Sequence, residues 1–226
     1  MLPFHQRTLF LFDLDGTVID SKDGIFGGIR YTMERLKMGE MPESIMRQFI
    51  GPSIGASFRR HYQFTLEQAE QAVAIYREYY GVQGLLECRL YDGIRELTLR
   101  LKAQGKKVAL ATKKPEMYAK KIMDNLHMTE IFDGIHGSDP DDHIEDKGYV
   151  LLRAIKKQGI TDKSQVLMIG DTKYDCIGAE IAGVDCLGVL YGYGSEADLL
   201  EHGAAGIAHT MAELTELLCG KEPVCP

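Results

Sequence analysis

No C-x-x-C pair occurs among the five cysteines, which stand at 88, 176, 186, 219 and 225. An odd count without paired spacing argues against a disulfide framework and a cysteine-ligated zinc site, so buried free thiols in a reducing compartment are expected. Basic charge is also short: 26 Lys and Arg against 33 Asp and Glu leave a net charge of −7. That balance lacks the footprint of a nucleic-acid binder, and an anionic ligand would need a local cation. Long apolar runs are missing too. The run Leu9-Phe10-Leu11-Phe12 stops at Asp13, too short for a secretory segment, and nothing approaches the ~18 residues of a membrane span. A cytoplasmic protein with no membrane partner is expected. Internal repeats and low-complexity tracts are absent, and 220–226 reads as a loose tail.

What remains is ordinary globular composition. With 226 residues, 45% hydrophobic, the chain can bury a sizeable core in one or two domains. Beyond residue 90 strand and helix patterns alternate. Segments 106–112, 132–138, 165–171, 185–192 and 204–210 read as short buried strands. Between them lie helical faces: Ile94, Leu97 and Leu101 before Gly105; Tyr118, Ile122 and Leu126 after Pro115; Leu151, Leu152 and Ile155 before Gly159. Thr210 and Glu213 form a capping box for Leu214, Leu217 and Leu218. Near-continuous apolar strands joined by helices indicate a parallel sheet covered on both faces, an α/β, three-layer, Rossmann-like core.

Residues 21–88 read differently. Ile25, Ile29, Met33 and Leu36 share a helical face, a second helix is expected over 42–50, and Thr65 with Gln68 caps a third carrying Ala69, Ala72, Val73, Tyr76 and Tyr80. No strand signal occurs there. The expected organisation is an all-α helical cap, 21–88, inserted after the first strand of a core made of 1–20 and 89–226. Gly27 and Gly28 inside the first helix each cost about 1 kcal/mol against alanine, which points to close packing or to approach by a ligand.

The stretch "TLFLFDLDGT" (8–17) carries the chemical question, because two aspartates one residue apart end a buried strand. Ligands of parallel sheets bind beyond the carboxyl ends of the strands. Asp13, Asp15, Thr112, Asp171 and Asp175 all fall at such ends. If these strands are neighbours, four carboxylates converge, and a divalent cation is the natural remedy; hard oxygen ligands select magnesium. Lys147 opens a helix against the helix dipole, which suggests either an anion to neutralise or simple pairing with Glu145 or Asp146. Individually, Asp15 also suits a turn cap, and Thr112 and Asp175 suit helix caps. Other motifs fail. "DLDG" lacks the sixth glycine and twelfth glutamate of a calcium loop, having Val18 and Gly24 there. "GPSIG" (51–55) matches G-x-S-x-G but follows a helical pattern rather than a strand. "GVLYGYG" (188–194) lacks the dinucleotide spacing.

In this order, "FLFDLDGT", "ALATKK", "EDK" and "MIGDTKYD" resemble the four motifs of the haloacid dehalogenase superfamily, over residues 8 to about 210. The helical insert is similar to the cap of the phosphoglycolate phosphatase and β-phosphoglucomutase branch. "YDGI" (91–94), "TKKP" (112–115) and "YGYGS" (191–195) resemble the phosphoglycolate phosphatase and bacterial 5′-nucleotidase-like members. The resemblance implies that Asp13 attacks phosphorus to form an aspartyl-phosphate, and that Asp15 protonates the leaving oxygen and later takes a proton from water. It implies phosphate contacts from Gly16, Thr112 and Lys147. It also implies magnesium held by the Asp13 and Asp171 carboxylates and the Asp15 carbonyl, with Asp175 orienting them. Lys113, where many relatives carry asparagine or serine, and Ser53 in "GPSIG" are candidates for substrate contact.

The expected activity is a magnesium-dependent phosphatase acting on a small phosphorylated metabolite, phosphoglycolate or a nucleoside 5′-monophosphate. A β-phosphoglucomutase-type mutase is the alternative, although "GPSIG" offers no cation for a second phosphate; pyrophosphate hydrolysis is another. A dehalogenase would lack the second aspartate, and a phosphate-binding regulatory protein would have no need of the full set. Oligomeric state is not encoded in these patterns.

Overall fold

In a computed structural model of the chain, residues 2–139 and 146–220 are described; Glu145 of "EDK", Cys225 and the 221–226 part of the expected tail lie outside them. The first strand, β1 (Leu9–Phe12), is followed by two short strands, β2 (Ile19–Asp20) and β3 (Arg89–Leu90), which pair with each other. Between them the chain forms α1 (Lys22–Arg35), α2 (Glu43–Met46), α3 (Ile54–Tyr62) and α4 (Leu66–Tyr80). It then alternates through α5 (Ile94–Ala103), β4 (Lys107–Pro115), α6 (Glu116–Asn125), β5 (Gly134–Ser138), α7 (Lys147–Lys157) and β6 (Val166–Gly170). It ends with α8 (Lys173–Ala182), β7 (Asp185–Val189), α9 (Glu196–Glu201), β8 (Gly206–Ala208) and α10 (Met211–Cys219). Two compact units result: Met1–Ile19 with Leu90–Pro226, and Asp20–Arg89.

The larger unit is an α/β fold on a six-stranded parallel sheet in the order β5-β4-β1-β6-β7-β8. Period-two alternation sorts its side chains. Leu9, Leu11, Ala109, Ala111, Val166, Met168 and Cys186 cluster with Val150, Leu151 and Ala154 of α7 and with Cys176, Ala179 and Ala182 of α8. The alternate residues Phe10, Phe12, Val108, Leu110, Leu167 and Ile169 are equally buried and face the other way, and α5 and α6 also pack on β4. Strands buried on both faces explain why the sequence runs are apolar throughout rather than alternating.

The smaller unit packs α1 and α3 on α4. A Cβ at Gly27 would lie 2.7 Å from Tyr79 Cε1, and one at Gly28 would lie 2.5 Å from Tyr76 Cε2. The paired glycines therefore serve helix packing. One expectation needs correction here. The helix expected over 42–50 is the four-residue α2 followed by a 3₁₀ turn at Arg47–Phe49. "GPSIG" contains a helix start, because Ser53 Oγ accepts from the Ala56 amide at 3.3 Å and opens α3. The Gly51-Pro52 punctuation hides a serine N-cap, whose hydroxyl satisfies an amide that the first turn leaves open.

Candidate active site

β1 lies at the point where the strand order reverses, with β4 on one side and β6 on the other, the position where a parallel sheet opens a crevice at its carboxyl end. The Asp13 amide donates to the Ile169 carbonyl at 2.9 Å, extending the ladder one residue beyond β1. By alternation Asp13 continues the face of Leu9 and Leu11, which α7 and α8 cover. Lys147 is the first residue of α7, and Asp175 stands in the first turn of α8. Asp171 follows β6 directly.

These four side chains meet. Lys147 Nζ lies 2.7 Å from Asp13 Oδ1 and 2.6 Å from Asp175 Oδ1. One carboxylate oxygen from each of Asp13, Asp171 and Asp175 falls within 4.8 Å of the others. Asp171 and Asp175 have no exposed surface, Asp13 is 8% exposed and Lys147 3%. Asp175 therefore does two things: its Oδ2 accepts from the Thr172 amide and hydroxyl at 3.0 and 3.1 Å as half of a capping box, and its Oδ1 faces the lysine. A Cβ at Gly178 of α8 would sit 2.6 Å from Lys147 Cγ, so the lysine stem lies across that glycine.

The charges do not balance. Burial raises the Asp13 carboxyl above the ordinary carboxylate value; Lys147 opposes this, and Asp175 adds to it. Burial pushes Asp171 well above that value, reinforced by Asp175 and Asp13 and opposed by the hydrogen bond from the Tyr193 amide. Burial alone would lower the Lys147 ammonium, but Asp13 and Asp175 more than reverse it, and its value is raised. Three carboxylates with one ammonium carry a formal charge of −2. A single divalent cation would cancel it, and an all-oxygen donor set suits magnesium. The acidic cluster could hold such an ion.

The loop after β1 is shaped around Asp171. Gly16 adopts φ +83°, and a Cβ there would lie 2.1 Å from Asp171 Oδ2. Tyr193 N donates to Asp171 Oδ2 at 2.7 Å, Thr17 Oγ1 lies 3.4 Å from Oδ1, and the Tyr191 hydroxyl donates to the Thr17 carbonyl at 3.0 Å. A Cβ at Gly192 would come 2.3 Å from the Gly16 carbonyl oxygen. "YGYGS", read from sequence only as part of a resemblance, is thus the segment that wraps Asp171; its alternating glycines were the available signal.

Asp15 is held elsewhere, with its Oδ1 2.9 Å from Lys114 Nζ. Thr112 is buried, and its hydroxyl accepts from the Lys114 amide at 3.2 Å. The ion pair to the first motif is made by Lys114, the neighbour of the substrate-contact candidate Lys113. The pairing of β4 is irregular between Ala111 and Pro115, so simple alternation could not have singled out Lys114. Lys113 is anchored through its carbonyl, which accepts from Ser138 Oγ at 2.7 Å. Ser53 belongs to the helical unit, where its hydroxyl caps α3. Among the described residues no helix is long and apolar enough to cross a membrane.

Residues 10–189 match the family model described as haloacid dehalogenase-like hydrolase. A 5′-nucleotidase of Pseudomonas aeruginosa is 36% identical over 208 residues, covering 92% of this chain and 94% of that one. A phosphoglycolate phosphatase of Pseudomonas fluorescens is 31% identical over 202 residues, covering 85% and 73%. The crystal structure of a predicted phosphatase from Clostridium acetobutylicum superposes with a TM-score of 0.88 at 35% identity, over 93% of this chain and 97% of that one. The order of the motifs, the sheet that carries them and these likenesses agree: the chain belongs to the haloacid dehalogenase-like hydrolase family, as a phosphoric monoester hydrolase.

Proposed function

We propose that the protein is a magnesium-dependent phosphatase that hydrolyses a small phosphomonoester, phosphoglycolate or a nucleoside 5′-monophosphate in kind, through a phosphorylated Asp13. What supports this most is the buried charge deficit around Asp13. A carboxylate at a strand end, flanked by two more and by one lysine, is arranged for a dication and a phosphoryl group together. Bound by the Asp13 and Asp171 carboxylates and the Asp15 main-chain carbonyl, with Asp175 orienting the set, magnesium would supply positive charge toward the phosphoryl oxygens.

Asp13 forms the new bond to phosphorus as the ester P–O bond breaks, its electron pair leaving on the alcohol oxygen. Asp15 gives its proton to that oxygen. Water then attacks the phosphorus of the aspartyl-phosphate, Asp15 takes the water proton, and the Asp13 carboxylate returns as inorganic phosphate departs. Lys147, the Thr112 hydroxyl and the amides about Gly16 stabilise the charge spread over the equatorial oxygens. The core groups serve phosphate, metal and proton, so we place the choice of leaving group in the helical insert. A chimaera carrying the insert of the 5′-nucleotidase relative should acquire that relative's preference; an unchanged preference would count against this.

The decisive experiment measures phosphate release from p-nitrophenyl phosphate, phosphoglycolate and nucleoside 5′-monophosphates, with magnesium and with chelator, for the protein and for Asp13→Asn. Metal-dependent turnover that Asp13→Asn abolishes, with a phosphorylated protein trapped by acid quench, is expected. Release equal to that of Asp13→Asn would overturn the reading.

A further inference from the structure

We infer that Lys114 is a positioning residue: its ammonium fixes the Asp15 carboxylate so that one chosen oxygen exchanges the proton. The inference rests on the acid–base reading of Asp15 given above and adds the group that aims it. The Lys114 side chain is only 6% exposed and Asp15 15%, and Nζ lies 2.9 Å from Oδ1. A buried lysine gives up roughly 2 kcal/mol of rotamer freedom, so a stem held at this depth presents its ammonium at a defined place.

The backbone is fixed as well. The Lys114 amide donates to Thr112 Oγ1 at 3.2 Å, and the preceding carbonyl, that of Lys113, accepts from Ser138 Oγ at 2.7 Å. Register between β4 and β5 shifts between Ala111 and Pro115, an irregularity of the kind that re-aims a side chain at a strand end. Lys147 already answers Asp13 and Asp175, so Lys147 and Lys114 serve different carboxylates. A lysine can donate to Oδ1 whether or not Oδ2 carries a proton. With Oδ1 held, the exchange with the leaving oxygen and later with water falls to Oδ2. Nothing in composition or motif marks Lys114 for this; the ion pair does.

The test compares kcat/KM for two leaving groups. p-Nitrophenolate departs without a proton, whereas an alkoxide, as from glycerol phosphate, needs one. Lys114→Met should lower kcat/KM for the alkyl ester about tenfold or more beyond any loss on p-nitrophenyl phosphate, short of the ~10²–10⁴ expected when the acid itself is removed. Lys114→Arg, which keeps a donor, should recover part of that loss. Asp15→Asn must show the same selectivity, more strongly, and the double variant should be no worse on the alkyl ester than Asp15→Asn alone. If Asp15→Asn discriminates between the esters but Lys114→Met slows both equally or neither, the positioning inference falls while the mechanism stands. If Asp15→Asn slows both equally, the acid–base reading falls and takes this inference with it. Should Lys114→Met fail to fold, Lys114→Arg decides by the same comparison: a selective loss on the alkyl ester supports the inference, and an equal or absent loss overturns it.

Discussion

Asp171 is a carboxylate with no exposed surface beside two others, and its proton affinity is raised well above 3.8. A carboxyl raised in this way binds protons more readily folded than unfolded. The metal-free protein therefore loses stability as pH rises from 3.8 through the raised value. Asp171→Asn removes that penalty. Its melting temperature without metal should equal or slightly differ from the parent at pH 5 and exceed it by a few degrees at pH 8, ~2–4 °C per kcal/mol at this size. A gap that fails to widen with pH would contradict the charge balance drawn above. His136 behaves oppositely. It is buried on β5, and among the described residues neither ring nitrogen has a hydrogen-bond partner. Burial lowers its proton affinity below 6.5, with Lys157 and Arg153 of α7 and Lys120 of α6 in the same direction and Glu116 of α6 against. Below pH 6.5 the unfolded chain takes up a proton that the folded one refuses, so stability declines as pH falls toward the depressed value. Thermal denaturation between pH 7 and 5 should show a shallower decline for His136→Gln than for the parent; parallel slopes would exclude this histidine as the cause.

At the scale of elements, the site is made by two helix starts against two strand ends. Asp175 in the first turn of α8 is favoured by the helix dipole, whereas Lys147 at the first position of α7 is opposed by it by roughly 0.3–1 kcal/mol. The lysine is held by two carboxylates, and its stem crosses α8 at Gly178. Gly178→Ala would gain about 1 kcal/mol in helix propensity yet meet Lys147 Cβ and Cγ at 2.8 and 2.6 Å. A loss of at least about tenfold in kcat/KM is expected despite the better helix former, since each tenfold is only ~1.4 kcal/mol of transition-state stabilisation. Wild-type turnover of this variant would show that α7 and α8 can part without moving the ammonium.

For the molecule as a whole, the excess of two negative charges in this cluster links stability to metal. Magnesium at ~100 times its dissociation constant should add about 2.7 kcal/mol, or ~5–10 °C to the melting of the sheet-bearing unit. Chelator should reverse the shift, and Asp171→Asn should abolish it. Equal melting with and without magnesium would remove the dication from the account.

Much of this was legible before any coordinates. Buried strands advertise themselves as short apolar runs, helices by their period and caps, so the α/β class and an all-helical insert could be read locally. Asp13, Asp171 and Asp175 could be nominated because strand ends are where a parallel sheet binds its ligands, and Lys147 because it opens a helix against the dipole. What no local pattern contains is which elements become neighbours. The order β5-β4-β1-β6-β7-β8, the approach of Lys147 to two aspartates at once, the wrapping of Asp171 by Gly192 and Tyr193, and the pairing of Asp15 with Lys114 depend on contacts between residues far apart in the chain. Propensity and periodicity act over a few residues, so they choose the elements; burial and charge act through space, and only the packed sheet decides which charges must share one crevice.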